Sequence, residues 1–129
     1  MVILPYPGGM DSEQRRGRLG RLGATAAELD AAELLEDALK RGATPVSDCP
    51  DCGQVVLSGT LASVTLRPRS GVPALEAELF DGSGRARLVW LGRRRIAGIT
   101  PGRSLRAYGR ITRDRGERVM FNPAYELRP

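Results

Sequence analysis

From Gln54 to Leu127 apolar and polar residues alternate with a period of two, and this alternation constrains the fold more than any other feature. A period of two places successive side chains on opposite faces of a β-strand. Residues that favour turns divide the stretch into five strand-like runs: Val55–Leu66, Ala74–Phe80, Arg85–Leu91, Ser104–Thr112 and Arg118–Leu127. The sequence therefore predicts a mainly β domain over residues 54–129.

The connections between the runs predict how the strands are arranged. Asp81-Gly-Ser-Gly84 favours a hairpin, which would place Phe80 opposite Arg85, Glu78 opposite Arg87, and Leu75 opposite Trp90, with Trp90 in the core. We expect Gly59 to mark a bulge, and Arg93 to Ile99 to form a short helical turn. Three strands, a helical connection and two more strands is the order of the five-stranded oligonucleotide/oligosaccharide-binding (OB) barrel.

The residues before the strands divide into three segments. Residues 1–24 are rich in Gly and Arg and predict a flexible tail, and Met10 is an alternative start. Thr25-Ala-Ala-Glu28 has the spacing of a capping box, so a helix should begin there and end near Gly42. Residues 43–53 then form a linker with a Cys-x-x-Cys turn. The apolar face of the helix should pack on the barrel, and it comprises Ala27, Ala31, Leu34, Leu35, Ala38 and Leu39.

The charge of the chain is unevenly distributed. Its net charge is +5, but residues 54–129 alone hold 14 basic and 6 acidic side chains, a balance of +8. A basic domain favours an anionic partner, most simply nucleic acid, although 19 of the 20 basic residues are Arg, which GC-rich codon usage also produces. No apolar run is long enough to span a bilayer and no signal peptide is evident, so we expect a cytoplasmic protein with no membrane partner.

Arginines in two loops are the main candidates for binding. Arg67 and Arg69 lie between the first two runs, and Arg113 and Arg115 lie between the last two. In an OB barrel these loops flank the ligand groove, where cationic side chains meet phosphates. On the fourth run Arg106, Tyr108 and Arg110 should face outward between the loops, with Tyr108 placed to stack on a base. Weaker candidates are Phe80 and Phe121 for stacking, and Arg93, Arg94 and Arg95 for contact with phosphate.

A succession of short motifs resembles one family of OB domains. The motifs follow one another through residues 56–64, Leu79-Phe-Asp-Gly-Ser-Gly84, Leu88-Val-Trp-Leu91, Pro101-Gly102, Gly109-Arg-Ile111 and Met120-Phe-Asn-Pro-Ala-Tyr-Glu126. The succession resembles tRNA anticodon-binding OB domains, and most of all the wedge domain of RecG-type branched-DNA helicases. It is also similar to small stand-alone OB proteins of actinobacteria. The resemblance implies nucleic-acid binding, with Tyr125 in a structural position. We expect a single-stranded or branched ligand and favour DNA over RNA, although the sequence leaves that choice open. The resemblance implies no helicase motor, because the sequence has no phosphate-binding loop.

Other functions have less support in the sequence. Cys49 and Cys52 have the spacing of half a zinc site, but a structural zinc needs four ligands and the chain has no other Cys and no His. Two chains sharing one zinc, or a redox pair, stay open beside a reduced turn, and we expect no cofactor. No set of catalytic residues is evident, so we expect a protein that is not an enzyme. The alternative is a protein–protein adaptor that uses the groove or the acidic face of the helix.

Overall fold

Six β-strands and one α-helix make up residues 25–129, the part of the chain that the computed structural model describes; the tail predicted for residues 1–24 lies outside it. The helix α1 spans Ala26–Lys40, and a single 3₁₀ turn spans Val46–Asp48. The strands are β1 (Gly53–Leu66), β2 (Ala74–Phe80), β3 (Arg85–Leu91), β4 (Ser104–Asp114), β5 (Glu117–Phe121) and β6 (Ala124–Leu127). The prediction of a mainly β chain with one N-terminal helix is confirmed.

Five of the strands are paired in a ring. β1 pairs with β2, β2 with β3, β3 with β5, β5 with β4, and β4 with β1 again. The pairing of β3 with β5 is parallel and the others are antiparallel. The predicted hairpin register is confirmed, because Phe80 is opposite Arg85, Glu78 opposite Arg87 and Leu75 opposite Trp90.

The long strand β1 changes its partner halfway along its length. Residues Gly53–Thr60 pair with β4, and Thr60–Leu66 pair with β2. At Gly59 a Cβ atom would lie 2.5 Å from the carbonyl oxygen of Phe80, so only glycine allows the two strands to approach this closely. The predicted bulge at Gly59 is wrong, because the register shift lies between Leu61 and Ser63.

Two further predictions about secondary structure are wrong. The fifth run is split into β5 and β6, because Asn122 has a left-handed backbone with φ 52° and Pro123 lacks an N–H for pairing. No helix forms over the expected Arg93–Ile99, where the only regular feature is one turn in which the Ile99 N–H donates to the Ile96 carbonyl oxygen at 3.1 Å. Its two isoleucines, Ile96 and Ile99, are nevertheless buried in the core.

The core fills the inside of the ring. Alternate residues of every ring strand contribute to it, including Leu57, Leu61, Leu75, Leu79, Leu88, Trp90, Leu105, Ile111 and Met120. The indole N–H of Trp90 donates to the Pro123 carbonyl oxygen at 3.1 Å, and its ring meets Tyr125 edge to face. The Asn122 side-chain oxygen accepts the N–H of Leu91 at 2.9 Å. The Asn-Pro-x-Tyr stretch therefore holds the end of β3.

The helix begins with the predicted capping box, in which Thr25 and Glu28 exchange hydrogen bonds. It packs against β1 and the β2–β3 turn, where a Cβ on Gly82 would lie 2.0 Å from the Ala31 carbonyl oxygen. On its other side Asp37 accepts a hydrogen bond from Arg128 at 2.7 Å. Partial burial acts to raise the pKa of Asp37, but hydrogen bonds from Arg128 and Arg41 outweigh it and hold the pKa below its usual value. Leu39, predicted on the packed face, is instead 54% exposed.

A buried carboxylate ties the segment between α1 and β1 to the β2–β3 turn. Asp81 is fully buried and accepts hydrogen bonds from the backbone N–H groups of Val46, Ser83 and Gly84 and from the Ser83 hydroxyl. Four donors satisfy the carboxylate without a cationic partner. Val46 is thereby fixed in the core beneath the ring.

Within residues 25–129, no helix is both long enough and apolar enough to cross a membrane.

Candidate functional site

The two arginine-bearing loops are short, ordered hairpin arms. In the first, Arg69 and Val72 exchange two backbone hydrogen bonds around Ser70 and Gly71, whose φ angles are 51° and 78°. In the second, Asp114 pairs with Glu117 around Arg115 and Gly116, with φ angles of 54° and 81°. Two consecutive left-handed residues are typical of the type I′ turn, whose twist matches that of the strands it joins. Both arms therefore extend the sheet as tight β-hairpins.

Arg69 joins the two arms. Its guanidinium bonds to the carboxylate of Glu76 at 3.1 Å and to that of Asp114, at the base of the second arm, at 3.3 Å. The same guanidinium lies over the ring of Phe121, 5.3 Å from its centroid. Burial acts to lower the pKa of Arg69, but the two carboxylates outweigh it and raise the pKa above its usual value. The side chain is thus fixed across the outer face of β2, β3 and β5.

The other three loop arginines differ in their contacts. Arg113 bonds to Asp51 at 3.0 Å and to the Gly116 carbonyl oxygen at 2.9 Å, so it fastens the second arm to the segment before β1. Arg67 and Arg115 are exposed and form no side-chain hydrogen bond or ion pair with any residue from 25 to 129. The two arms therefore each present one arginine whose charge is unpaired.

The middle of the outer face carries alternating charges that neutralise one another. Arg87 bridges Glu76 and Glu117, and Arg85 bonds to Glu78 at 3.0 Å. All five acidic residues between Gln54 and Phe121 have partners of this kind or, in Asp81, backbone donors. Glu76 and Glu78, the two carboxylates of β2 that would otherwise repel an anion, are therefore already paired with arginine.

The end of the same face that lies next to the β1–β2 arm is apolar and has arginines at its edge. Arg67 donates its N–H to the Ala74 carbonyl oxygen, and Ala74 pairs with Leu91, so the three form one row across three strands. In the next row Val89 pairs with Phe121. Leu91 is 40% exposed and Phe121 is 38% exposed. Sequence reasoning gave Phe121 little weight; the alternation of β5, with Met120 inward, is the signal that places it outward.

The run of three arginines after β3 borders this apolar row. The N–H of Gly92 donates to the Pro73 carbonyl oxygen at 2.7 Å, which brings the start of the run beside the first arm. Arg93, Arg94 and Arg95 are exposed, and within the described chain none of them has a side-chain hydrogen bond or ion pair. The structure thus brings these weaker candidates next to Arg67. Phe80 is half-buried at the opposite end of β2, opposite Thr60 and Arg85.

The three candidates on β4 lie on a different part of the surface. The predicted alternation is confirmed, since Leu105, Ala107 and Ile111 are buried while Arg106 and Tyr108 are half-buried and Arg110 is exposed. Arg106 lies over the Tyr108 ring at 5.4 Å. Tyr108 pairs with Val56 on one side and Ala124 on the other, six residues or roughly 20 Å along β4 from Asp114. The β4 residues therefore do not lie between the arms as expected.

The two cysteines have different environments. Cys49 is buried and Cys52 is exposed, and neither forms a disulfide. Burial raises the pKa of the Cys49 thiol. Among residues 25–129 no group of three or more His, Cys, Asp or Glu side chains is placed to hold a metal ion.

Neither a scan against protein-family models nor a search of curated proteins finds a match to this chain.

Proposed function

We propose that this protein is a non-enzymatic OB-fold domain that binds single-stranded or branched nucleic acid. The observation that carries the proposal is the exposed ring of Phe121 on the outer face of β2, β3 and β5, with the unpaired Arg67 and Arg93–Arg95 around it. An aromatic face surrounded by cations is the arrangement that binds single strands by stacking and charge.

The strand pairings support the assignment of the fold. A ring in which β1 pairs with both β2 and β4, and β5 lies between β3 and β4, is the arrangement of a closed five-stranded OB barrel. In that fold the face of the second and third strands and the loops beside it bind oligonucleotides. The site around Phe121 lies on this face, between the two hairpin arms.

Stacking on a base and contact with phosphates are assigned to different residues. A base would stack on Phe121, and the guanidinium of Arg69, held by Glu76 and Asp114, would flank it. Arg67 and Arg93–Arg95 would contact phosphates on either side. Guanidinium groups that meet phosphates carry no sequence information, and every base has a face that can stack, so we expect little sequence preference.

Salt dependence is the first prediction of this proposal. If Arg67 and Arg93–Arg95 each contact one phosphate, the logarithm of the binding constant should fall with the logarithm of salt concentration, with a slope of about −3. Fluorescence anisotropy with a labelled oligothymidine, repeated with RNA and with a forked duplex, measures it. Absence of binding at low salt, or binding that salt leaves unchanged, would contradict the proposal.

A protein-binding adaptor is the second candidate function. Leu29 and Leu39 are 53% and 54% exposed on α1, among the acidic side chains of Asp30, Glu33 and Glu36. Such a face could contact a protein partner rather than nucleic acid. Partners captured from a lysate should vanish after nuclease treatment if nucleic acid is the ligand, and should persist if the adaptor function is correct.

A further inference from the structure

A cavity lies on the same face as Phe121, at the base of the β4–β5 arm. Its volume is about 370 Å³, at the lower end of the range for small-molecule sites. Four arginines and two glutamates line it: Arg85, Arg87, Arg113, Arg118, Glu78 and Glu117. Nothing in the stacking and phosphate contacts proposed above uses this cavity.

Counted by the side chains that line it, the cavity is basic, although Arg87 and Arg113 also pair with Glu76 and Asp51, which lie outside its lining. Four guanidinium groups and two carboxylates leave a balance of +2 at its wall. Burial raises the pKa of Glu78, and nearby Glu117 adds to the rise although Arg87 opposes it. Burial also lowers the pKa of the Arg85 guanidinium. The side chains of Glu78 and Arg85 are only 28% and 36% exposed, so the wall is partly removed from water, where a bound anion interacts more strongly with arginine.

Three of the arginines keep donors that no residue from 25 to 129 accepts. Arg87 uses Nε and Nη2 for Glu76 and Glu117, and Arg113 uses Nε and Nη1 for Asp51 and the Gly116 carbonyl oxygen. Arg118 reaches only two backbone carbonyl oxygens, at 3.4 and 3.5 Å, through Nη2, and its buried Nε has no partner. One terminal nitrogen of each guanidinium therefore remains for a ligand.

We propose that this cavity binds a phosphate monoester, the group that ends a nucleic-acid strand or that a mononucleotide carries. A monoester has a charge of about −1.5 to −2 at neutral pH, which balances the cavity wall, whereas a diester within a strand has a single charge. Its three terminal oxygens match the three remaining donors. Binding of a strand end rests on the proposed function, because the strand would also have to stack on Phe121. The two sites are close enough for one strand: Arg87 lies two residues, roughly 7 Å, along β3 from Val89, the partner of Phe121.

Two experiments distinguish a strand end from a free mononucleotide as the source of the monoester. In the first, binding is measured for labelled oligothymidines with a 5′-phosphate, a 3′-phosphate or no phosphate. In the second, thymidine monophosphate is titrated into the protein and followed by NMR of the arginine Nε–H signals. At least one phosphorylated strand should bind about tenfold or more tightly than the unphosphorylated strand. If thymidine monophosphate binds while thymidine and all three strands do not, the cavity takes a free nucleotide. The inference about the cavity then survives, and the proposed function is contradicted. Equal affinity of all three strands without binding of the mononucleotide overturns the inference, while the proposed function survives.

Two variants of the cavity wall should act in opposite directions. Arg118→Gln should reduce the preference for phosphorylated strands about tenfold, and Glu117→Gln should increase it, because one removes a positive and the other a negative charge. The affinity for the unphosphorylated strand should stay within about twofold in Arg118→Gln. Thermal unfolding confirms that each variant is folded. A preference that neither variant changes would place the monoester elsewhere and overturn the assignment.

Discussion

Three residues other than glycine have left-handed backbones within residues 25–129: Ser70, Arg115 and Asn122. Asn122 belongs to a residue type that tolerates this conformation, and its side chain holds β3. Arg115 does not belong to such a type, because its long side chain cannot hydrogen-bond to the local backbone as that of Asn does, and the left-handed conformation then costs about 1–2 kcal/mol. An exposed, unpaired arginine that occupies a strained turn position contributes nothing to the turn itself, which points to a role at the surface.

Arg115→Asn should therefore stabilise the fold. Asparagine is favoured in the first position of a type I′ turn, and we expect a gain of about 0.5–1 kcal/mol in the free energy of unfolding, measured by urea denaturation. Ser70→Asn in the other arm is the matched control for the turn and should also stabilise. Only Arg115→Asn removes a charge, so only that variant should weaken binding to oligothymidine, and only slightly, because Arg115 adds to the general attraction and is not one of the proposed phosphate contacts. Loss of stability in Arg115→Asn would contradict the assignment of strain.

Phe121→Ala should weaken binding by roughly 1–3 kcal/mol with little change in the salt slope, because stacking releases few counterions. Arg93, Arg94 and Arg95 changed together to Ala should instead flatten the slope by about 2 units. Arg67→Ala should flatten the slope by about 0.7 unit, because it removes one phosphate contact. Lys40→Ala removes an exposed cation on α1 and is the single-charge control, which should leave the slope unchanged. If Tyr108→Ala weakens binding and Phe121→Ala does not, the site lies on β4.

At the scale of elements, α1 depends on one glycine for its contact with the sheet. Gly82 has φ 92°, and a Cβ there would lie 2.0 Å from a helix carbonyl oxygen. Gly82→Ala should cost about 1 kcal/mol for the backbone conformation and further energy for displacing the helix, about 3 kcal/mol in all. Gly71→Ala is the matched control, because Gly71 has φ 78° but no atom within 4 Å of the added methyl group. Urea unfolding of the two variants separates the cost of φ from the cost of the contact, and equal losses would contradict close packing of α1.

The elements that the sequence predicted well are those set by neighbouring residues. The β2–β3 register follows from the Asp81–Gly84 turn, and the start of α1 follows from Thr25 and Glu28, which lie three residues apart. The site was harder to predict because its contacts join distant residues. Arg69 and Asp114 are 45 positions apart. Alternation shows which face a residue occupies but not which distant residue it contacts, so the neutralisation of Arg69 could not be inferred from sequence. The same limit hid the approach of Arg93–Arg95 to the first arm.

At the scale of the whole molecule, the two thiols report on different states of the protein. Cys52 is exposed, whereas Cys49 is 6% exposed and belongs to the core cluster with Val46. Iodoacetamide near pH 8 should modify Cys52 readily and Cys49 at least about 100-fold more slowly, because burial both blocks access and raises the thiol pKa. In urea that unfolds the protein, Cys49 and Cys52 should react with iodoacetamide at similar rates. The Cys52→Ser variant isolates the slow thiol, and rapid labelling of that variant in buffer would contradict the buried position.

The position of β5 in the ring sets the order in which a nascent chain can fold. Once β3 ends at Leu91, the ribosome must add 30 more residues before Phe121 completes β5. At about 5–20 residues per second, this takes roughly 1.5–6 s. During that interval the edge of β3 lacks its β5 partner, and once β4 is complete at Asp114 its edge lacks β5 as well. Open edges pair readily with other chains. Before the ring closes there is thus a short period in which crowding of nascent chains favours aggregation. Slower initiation of translation, or a chaperone at the ribosome, should therefore raise the yield of folded protein.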